Sequence, residues 1–175
     1  MAPQLLPDSG PLITLAYAGR LDLLLRPGWP LRMVDMVLHE VTRNATPTRN
    51  AINAFVAEHK PLVIETATFR NYKARVAAAA ADPDAPSPRR AGLGELAMQE
   101  AINQLALLEP PQAAVLLFED HKIAHATFHL PAGTLRVSTR AFLIYLEEKG
   151  WLAAAAEVEQ AAIEAGRNFS RLRFH

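Results

Sequence analysis

Acidic residues occur in this chain where apolar runs end. Asp8 follows the first such run, and Glu119 and Asp120 follow a later one. If both runs are parallel strands, their carboxyl ends share one edge of the sheet, which is where ligands bind in α/β folds. Carboxylates gathered at one place raise each other's pKa values unless a cation offsets the repulsion. Each acid alone fits an ordinary helix cap or turn, so the spacing by itself leaves both a carboxylate cation site and these structural roles open.

Two further acids belong to predicted helices. Glu95 lies in the first turn of one, where negative charge is favourable, and Glu40 lies near the carboxyl end of a short one, where it is unfavourable. The chain has no cysteine, so thiolate nucleophiles, disulfides and cysteine-based zinc sites are excluded. Ligation by carboxylates alone suits Mg²⁺ or Mn²⁺. Nucleophile-elbow, P-loop and dinucleotide-binding motifs do not occur, so no covalent nucleophile is indicated.

Short apolar runs alternate with helical patterns along the 175 residues. Strands are predicted around residues 5–6, 31–34, 62–64, 114–118 and 135–137. Helical spacing is predicted over residues 11–25, 35–41, 47–60, 66–81, 93–107, 139–149 and 152–165, with a proline-rich loop at 82–88. Such alternation predicts an α/β fold with three α/β/α layers and a central, mainly parallel sheet.

Four segments resemble, in order, the motifs of the PIN-domain ribonucleases, in their VapC-like toxin branch. They are DSGPLITLAYAGRLDLLL at Asp8, RMVDMVLHEV with Glu40, LGELAMQEAINQLA with Glu95, and LLFEDHKIAHA with Glu119 and Asp120. The later segment STRAFLIYLEEKGWL resembles the closing helix of that branch. The resemblance covers residues 5 to about 152.

This resemblance implies one PIN-like domain over residues 1–175, with a core at 1–152 and a C-terminal helix and arm at 153–175. It implies that Asp8, Glu40, Glu95 and Asp120 are catalytic and hold one or two Mg²⁺ or Mn²⁺ ions, with Glu119 as a further ligand. The implied activity is hydrolysis of single-stranded RNA by an endoribonuclease. An antitoxin protein and a homodimer are the implied partners.

Arginines are the predicted contacts for RNA phosphates, because positive and negative residues balance at 18 each and leave no overall field. Arg89 and Arg90 precede Glu95, and Arg136 and Arg140 bracket the start of a late helix. A solvated surface is an equally weighted interpretation. The same alternatives hold for the C-terminal arginines Arg167, Arg171 and Arg173.

Three histidines, His121, His125 and His129, are spaced to share one helix face, but Pro131 follows and the acid of an HExxH motif is absent. Polar surface or partner contact is therefore favoured over zinc. The N-terminal segment lacks the pattern of a signal peptide, and no run reaches the roughly 18–20 apolar residues of a membrane span. A cytoplasmic protein without membrane contact is expected.

Two alternatives to the nuclease remain open. One is a catalytically impaired PIN-like module that binds RNA or protein, supported by Glu95 and Phe118 where relatives carry aspartate and a small hydroxyl residue. The other is an unrelated doubly wound domain that binds a phosphorylated ligand at a helix N-terminus.

Overall fold

Strands and helices alternate along the chain in a computed structural model that describes residues 2–168 apart from 83, 85, 87 and 120–129. The strands are β1 (Gln4–Pro7), β2 (Arg32–Val34), β3 (Leu62–Ile64), β4 (Ala114–Phe118) and β5 (Thr134–Ser138). The α-helices are α1 (Ser9–Tyr17), α2 (Asp35–Thr42), α3 (Pro47–His59), α4 (Ala67–Ala81), α5 (Leu93–Ala106), α6 (Thr139–Glu148) and α7 (Ala155–Glu164). A 3-10 helix spans Leu21–Leu25.

The described strands pair in parallel throughout. β1 pairs with β4, β4 pairs with β5, and β2 pairs with β3. A bridge between Leu5 and Leu31 joins the two groups, and the Leu5 amide donates to the Pro30 carbonyl at 2.9 Å. The strand order is therefore β3-β2-β1-β4-β5. Strands β2 and β3 lie on one side of β1, and β4 and β5 lie on the other, so the order of strands, not their direction, reverses between β1 and β4. Ligands of open α/β sheets bind beyond the carboxyl ends of strands at such a reversal.

Helices cover the sheet and bury its apolar strands. Leu5 and Leu6 of β1 and Leu116 and Leu117 of β4 have no exposed surface, and burying each such side chain stabilises the fold by roughly 1.5–3 kcal/mol. α1 packs against α2, α3 and α7, while α5 packs against α2, α4 and β2. No helix among the described residues is long and apolar enough to cross a membrane. The predicted three-layer α/β class is confirmed.

Residues with restricted or unusual backbone conformations set several element boundaries. Pro47 opens α3, and Lys60 ends it in a left-handed conformation with φ of 46°. The predicted helical stretch over residues 11–25 is wrong as a single element, because α1 ends at Tyr17 and Gly19 turns the chain with φ of 65°. The 3-10 helix that follows buries Leu21, Leu23 and Leu24, and Leu25 is partly buried against the core.

Candidate functional site

Asp8 stands at the reversal point of the sheet. The register of β1 and β4 places Pro7 beside Leu117, and the Asp8 amide donates to the Leu117 carbonyl at 2.8 Å. Its side chain is 3% exposed and accepts a long hydrogen bond of 3.4 Å from the Ser9 hydroxyl. Asp8 also precedes the first turn of α1, where the helix dipole favours negative charge. The edge of the sheet therefore holds a buried carboxylate.

Glu119 follows β4 at the same edge and is also buried. Its Oε1 atom accepts a hydrogen bond of 2.6 Å from the Thr14 hydroxyl, and Arg167 Nη2 lies 3.8 Å from the same oxygen. The Arg167 Nε donates to Thr14 Oγ1 at 3.0 Å, which closes a three-residue network. Gly10 makes room for this acid, because a Cβ there would overlap the Glu119 Cγ. The acid at the end of β4 is thus bound to α1 and to the turn after α7.

Glu40 occupies a position that its own helix disfavours and another helix favours. It lies in the last turn of α2, but its carboxylate faces Gly94 in the first turn of α5. A Cβ on Gly94 would lie 2.9 Å from each Glu40 carboxylate oxygen. The partial positive charge at the N-terminus of α5 therefore offsets the unfavourable carboxyl end of α2.

No described contact joins the remaining predicted ligands, Glu95 and Asp120, to the three acids described above. Glu95 is exposed in the first turn of α5. Asp120 lies outside the described residues, as do His121, His125 and His129. Within the described parts of the chain, no three His, Asp or Glu side chains lie close enough to hold one ion. The four-carboxylate site stays a prediction; Asp8 and Glu119 follow adjacent strands, and Glu40 faces the start of α5.

Two clefts adjoin Glu40 and share a wall made by Ile13, Glu40 and Val41. The first has a volume of about 340 Å³ and is completed by Ser9, Met36, Arg43, Arg90, Ala91 and Gly92. The second has a volume of about 300 Å³ and is completed by Tyr17, Thr46, Thr48, Gly166, Arg167 and Asn168. One acid, Glu40, and three arginines from distant segments, Arg43, Arg90 and Arg167, therefore line the two adjoining clefts.

The positive charge beside the first cleft affects its neighbour His39. This imidazole lies against the rings of Phe69 and Tyr72, with centroids 5.1 and 5.6 Å away. Burial lowers the pKa of His39, and the charges of Arg43 and Arg90 lower it further. The positive charge of both arginines therefore reaches His39, the residue before Glu40.

The predicted arginines separate into two groups. Arg90 lines the first cleft and Arg89 is exposed next to it. Arg136, in β5, is half-buried, and Arg140 is exposed in the first turn of α6. Neither is among the described residues that line the two clefts. Their role in RNA contact stays a prediction, and Arg171 and Arg173 lie outside the described residues.

Sequence reasoning missed Arg43 and Thr14. Arg43 lies three positions after Glu40, a helical spacing that places two side chains on one face, so the signal was present. Thr14 contacts Glu119 across 105 positions, and no local pattern marks such a contact.

Comparisons with known proteins give one structural likeness. No protein-family profile matches the chain, and no curated protein matches its sequence. The PIN domain of T. brucei RRP44 superposes with a TM-score of 0.48 at 14% identity, over 85% of this chain and 84% of that one. A superposition this loose fixes no residue of the site, so its interpretation depends on the contacts described above.

Proposed function

We propose that this protein is a metal-dependent phosphodiesterase, and specifically an endoribonuclease that cuts single-stranded RNA. The observation that supports this most is the placement of acids after two adjacent parallel strands. Asp8 follows β1, and Glu119 with its sequence neighbour Asp120 follows β4, at the reversal of strand order. Glu40 borders the clefts beside this edge.

The residues fit a hard divalent cation in the chemistry of their donors. Every candidate ligand is a carboxylate, and Asp8 is a buried one. In this proposal Asp8, Glu40, Glu95 and Asp120 hold one or two Mg²⁺ or Mn²⁺ ions. Such an ion supplies a bound water of lowered pKa and stabilises charge on the scissile phosphate.

The chain's own residues provide binding and orientation. Arg43 and Arg90 line the cleft on one side of Glu40, where guanidinium groups bind phosphate oxygens without reading the base sequence. The apolar side chains of Ile13 and Val41 form the wall that both clefts share. The preference for single-stranded RNA belongs to this proposal through the sequence resemblance. An antitoxin protein, a homodimer and a cytoplasmic location belong to this proposal through the sequence resemblance.

Replacement of Asp8 by asparagine tests the activity directly. Asp8→Asn keeps the size of the side chain at the start of α1 but removes its charge. We expect Mn²⁺-dependent RNA cleavage to fall by more than about 100-fold, because mutation of a residue that only hydrogen-bonds to a metal ligand already costs up to about 100-fold. The melting temperature should change little. Cleavage of a mixed RNA pool and thermal unfolding are the measurements.

Asp22→Asn is the matched control for this test. Asp22 is an aspartate that pairs with Arg20 and Arg26 at the surface and lines neither cleft. This control should cut RNA as the wild type does. Undiminished cleavage by Asp8→Asn would refute the assignment of Asp8 as a catalytic metal ligand, and a wild type that leaves the RNA intact would refute the nuclease.

A binding module that does not cut is the second candidate, and the partners of Glu119 favour it. Thr14 and Arg167 already satisfy this acid, and Glu95 is exposed. A pure binder would retard single-stranded RNA in a gel and leave it intact with added Mn²⁺. An anomalous peak beside Asp8 in a Mn²⁺-soaked crystal would instead favour the nuclease.

A further inference from the structure

The turn after α7 delivers an arginine to the end of β4. The Gly166 amide donates to the Ile163 carbonyl at 2.9 Å, and the Arg167 amide donates to the Ala162 carbonyl at 2.9 Å. Gly166 itself has φ of 101°, which a residue with a side chain rarely adopts. This turn fixes the backbone from which Arg167 extends, so its guanidinium group is placed by the fold.

Arg167 and Thr14 act on the same carboxylate oxygen. Thr14 donates to Glu119 Oε1 at 2.6 Å, and Arg167 Nη2 lies 3.8 Å from it. The side chains of Glu119 and Arg167 are 5% and 18% exposed. A charge this far from water requires an opposite charge or hydrogen-bond donors nearby. Both are present: Thr14 lies 105 positions from Glu119 in the sequence, and Arg167 is itself bound to Thr14 across 153 positions.

We infer that Arg167 and Thr14 are positioning residues that keep Glu119 as the counter-charge of the C-terminal turn and withhold it from the cation. The inference rests on the proposed function in one respect, the expectation that a cation binds at this edge. Glu119 is then no ligand in the wild-type protein, and the remaining acids hold the ion. Removing the arginine leaves a negative charge uncompensated at the end of β4, which strengthens the attraction of this edge of the sheet for a divalent cation.

The affinity for the cation is measured by titration with Mn²⁺ alone, with calorimetry or the electron paramagnetic resonance signal of free Mn²⁺ as the readout. We expect Arg167→Gln to shift the midpoint of binding to a lower Mn²⁺ concentration. In Glu119→Gln the same arginine substitution should produce no shift, because the charge that it exposes is gone. Arg167→Lys keeps the positive charge and should keep a midpoint near that of the wild type.

Arg43→Gln is the matched control, since Arg43 lines the cleft beside Glu40 but has no described contact with Glu119. Its loss also removes one positive charge near the cation. Any shift that it causes should therefore persist in the Glu119→Gln background. If Arg167→Gln does not fold, Thr14→Val provides a second test. Valine has a similar shape to threonine but cannot make the hydrogen bond of 2.6 Å to Glu119, so this variant should shift the midpoint in the same direction.

Three results would decide against the inference. They are an unchanged midpoint in Arg167→Gln, a shift that survives in Glu119→Gln, and an absence of Mn²⁺ binding in both the wild type and Arg167→Gln. The RNA cleavage assay distinguishes a failure of this inference from a failure of the proposed nuclease function. A wild type that cuts RNA while Arg167→Gln binds Mn²⁺ unchanged contradicts only the role of Arg167, whereas Mn²⁺ binding gained only by Arg167→Gln supports that role and contradicts the wild-type metal site.

Discussion

At the scale of single residues, glycine sets the position of Glu40. In an ordinary helix, alanine at position 94 would be favoured over glycine by up to about 1 kcal/mol. A Cβ there would lie 2.9 Å from both oxygens of Glu40, so the carboxylate must move. We therefore expect Gly94→Ala to retain or raise the melting temperature while it weakens Mn²⁺ binding and RNA cleavage.

The double variant Glu40→Ala with Gly94→Ala is the control for that contact. Once the carboxylate is absent, the added methyl group has nothing to displace, so Gly94→Ala should have no further effect on Mn²⁺ binding. An effect of equal size in both backgrounds would show that Gly94 acts through something other than Glu40. Calorimetric titration of Mn²⁺ into the wild type, Gly94→Ala, Glu40→Ala and the double variant distinguishes the two results.

At the scale of elements, carboxylates tie the start of α4 to its neighbours. Glu100 of α5 accepts hydrogen bonds from the Ala67 amide at 2.6 Å and from the Thr68 amide at 3.1 Å. Asp35 accepts bonds of 2.7 Å from the amide and the hydroxyl of Thr66. The two acids therefore connect the end of β2, the start of α4 and the middle of α5, next to the helices that carry Glu40 and Gly94.

Stability should fall in acid through Glu100. Burial raises its pKa, but the hydrogen bonds from Ala67, Thr68 and Gln104 outweigh burial and hold the pKa below the ordinary 4.5. A lowered folded pKa means that the stabilisation is complete above 4.5 and is lost as the pH falls through the folded value. Glu100→Gln should lose less melting temperature than the wild type between about pH 7 and pH 3.

Glu148→Gln is the matched control for the acid titration, because Glu148 is an exposed acid at the end of α6. It should follow the wild-type pH dependence. Parallel curves for the wild type and Glu100→Gln would show that protonation of Glu100 contributes nothing to the loss of stability in acid. Differential scanning fluorimetry across the pH range provides the comparison.

At the scale of the whole molecule, the sequence predicted the elements well and their side-chain contacts poorly. Apolar runs flanked by proline and glycine identify β1 to β5 because strand burial and backbone restriction are local properties. The bond between Thr14 and Glu119 spans 105 positions and depends on how α1 lies across β4. The carboxylate of Glu40 likewise depends on the packing of α2 against α5. Sequence alone therefore predicted which acids follow strands, but not which of them other side chains already bind.

The last helix is expected to be necessary for the fold, because it buries apolar surface and supplies a charge at once. α7 buries Ala155, Val158 and Ala162 and leads to Arg167. A chain that ends at residue 154 loses these contacts and leaves Glu119 buried without its arginine, and breaking a buried ion pair costs about 3–5 kcal/mol. We expect a marked fall in melting temperature or failure to fold.

A chain that ends at Asn168 is the control, because it keeps every described contact of α7 and Arg167. It should unfold at nearly the wild-type temperature. In the shorter chain, Glu119→Gln should recover part of the lost stability, since the substitution removes the uncompensated charge. Recovery there would show that the C-terminal helix stabilises the molecule through the acid at the end of β4 as well as through apolar packing. No recovery would assign its effect to packing alone.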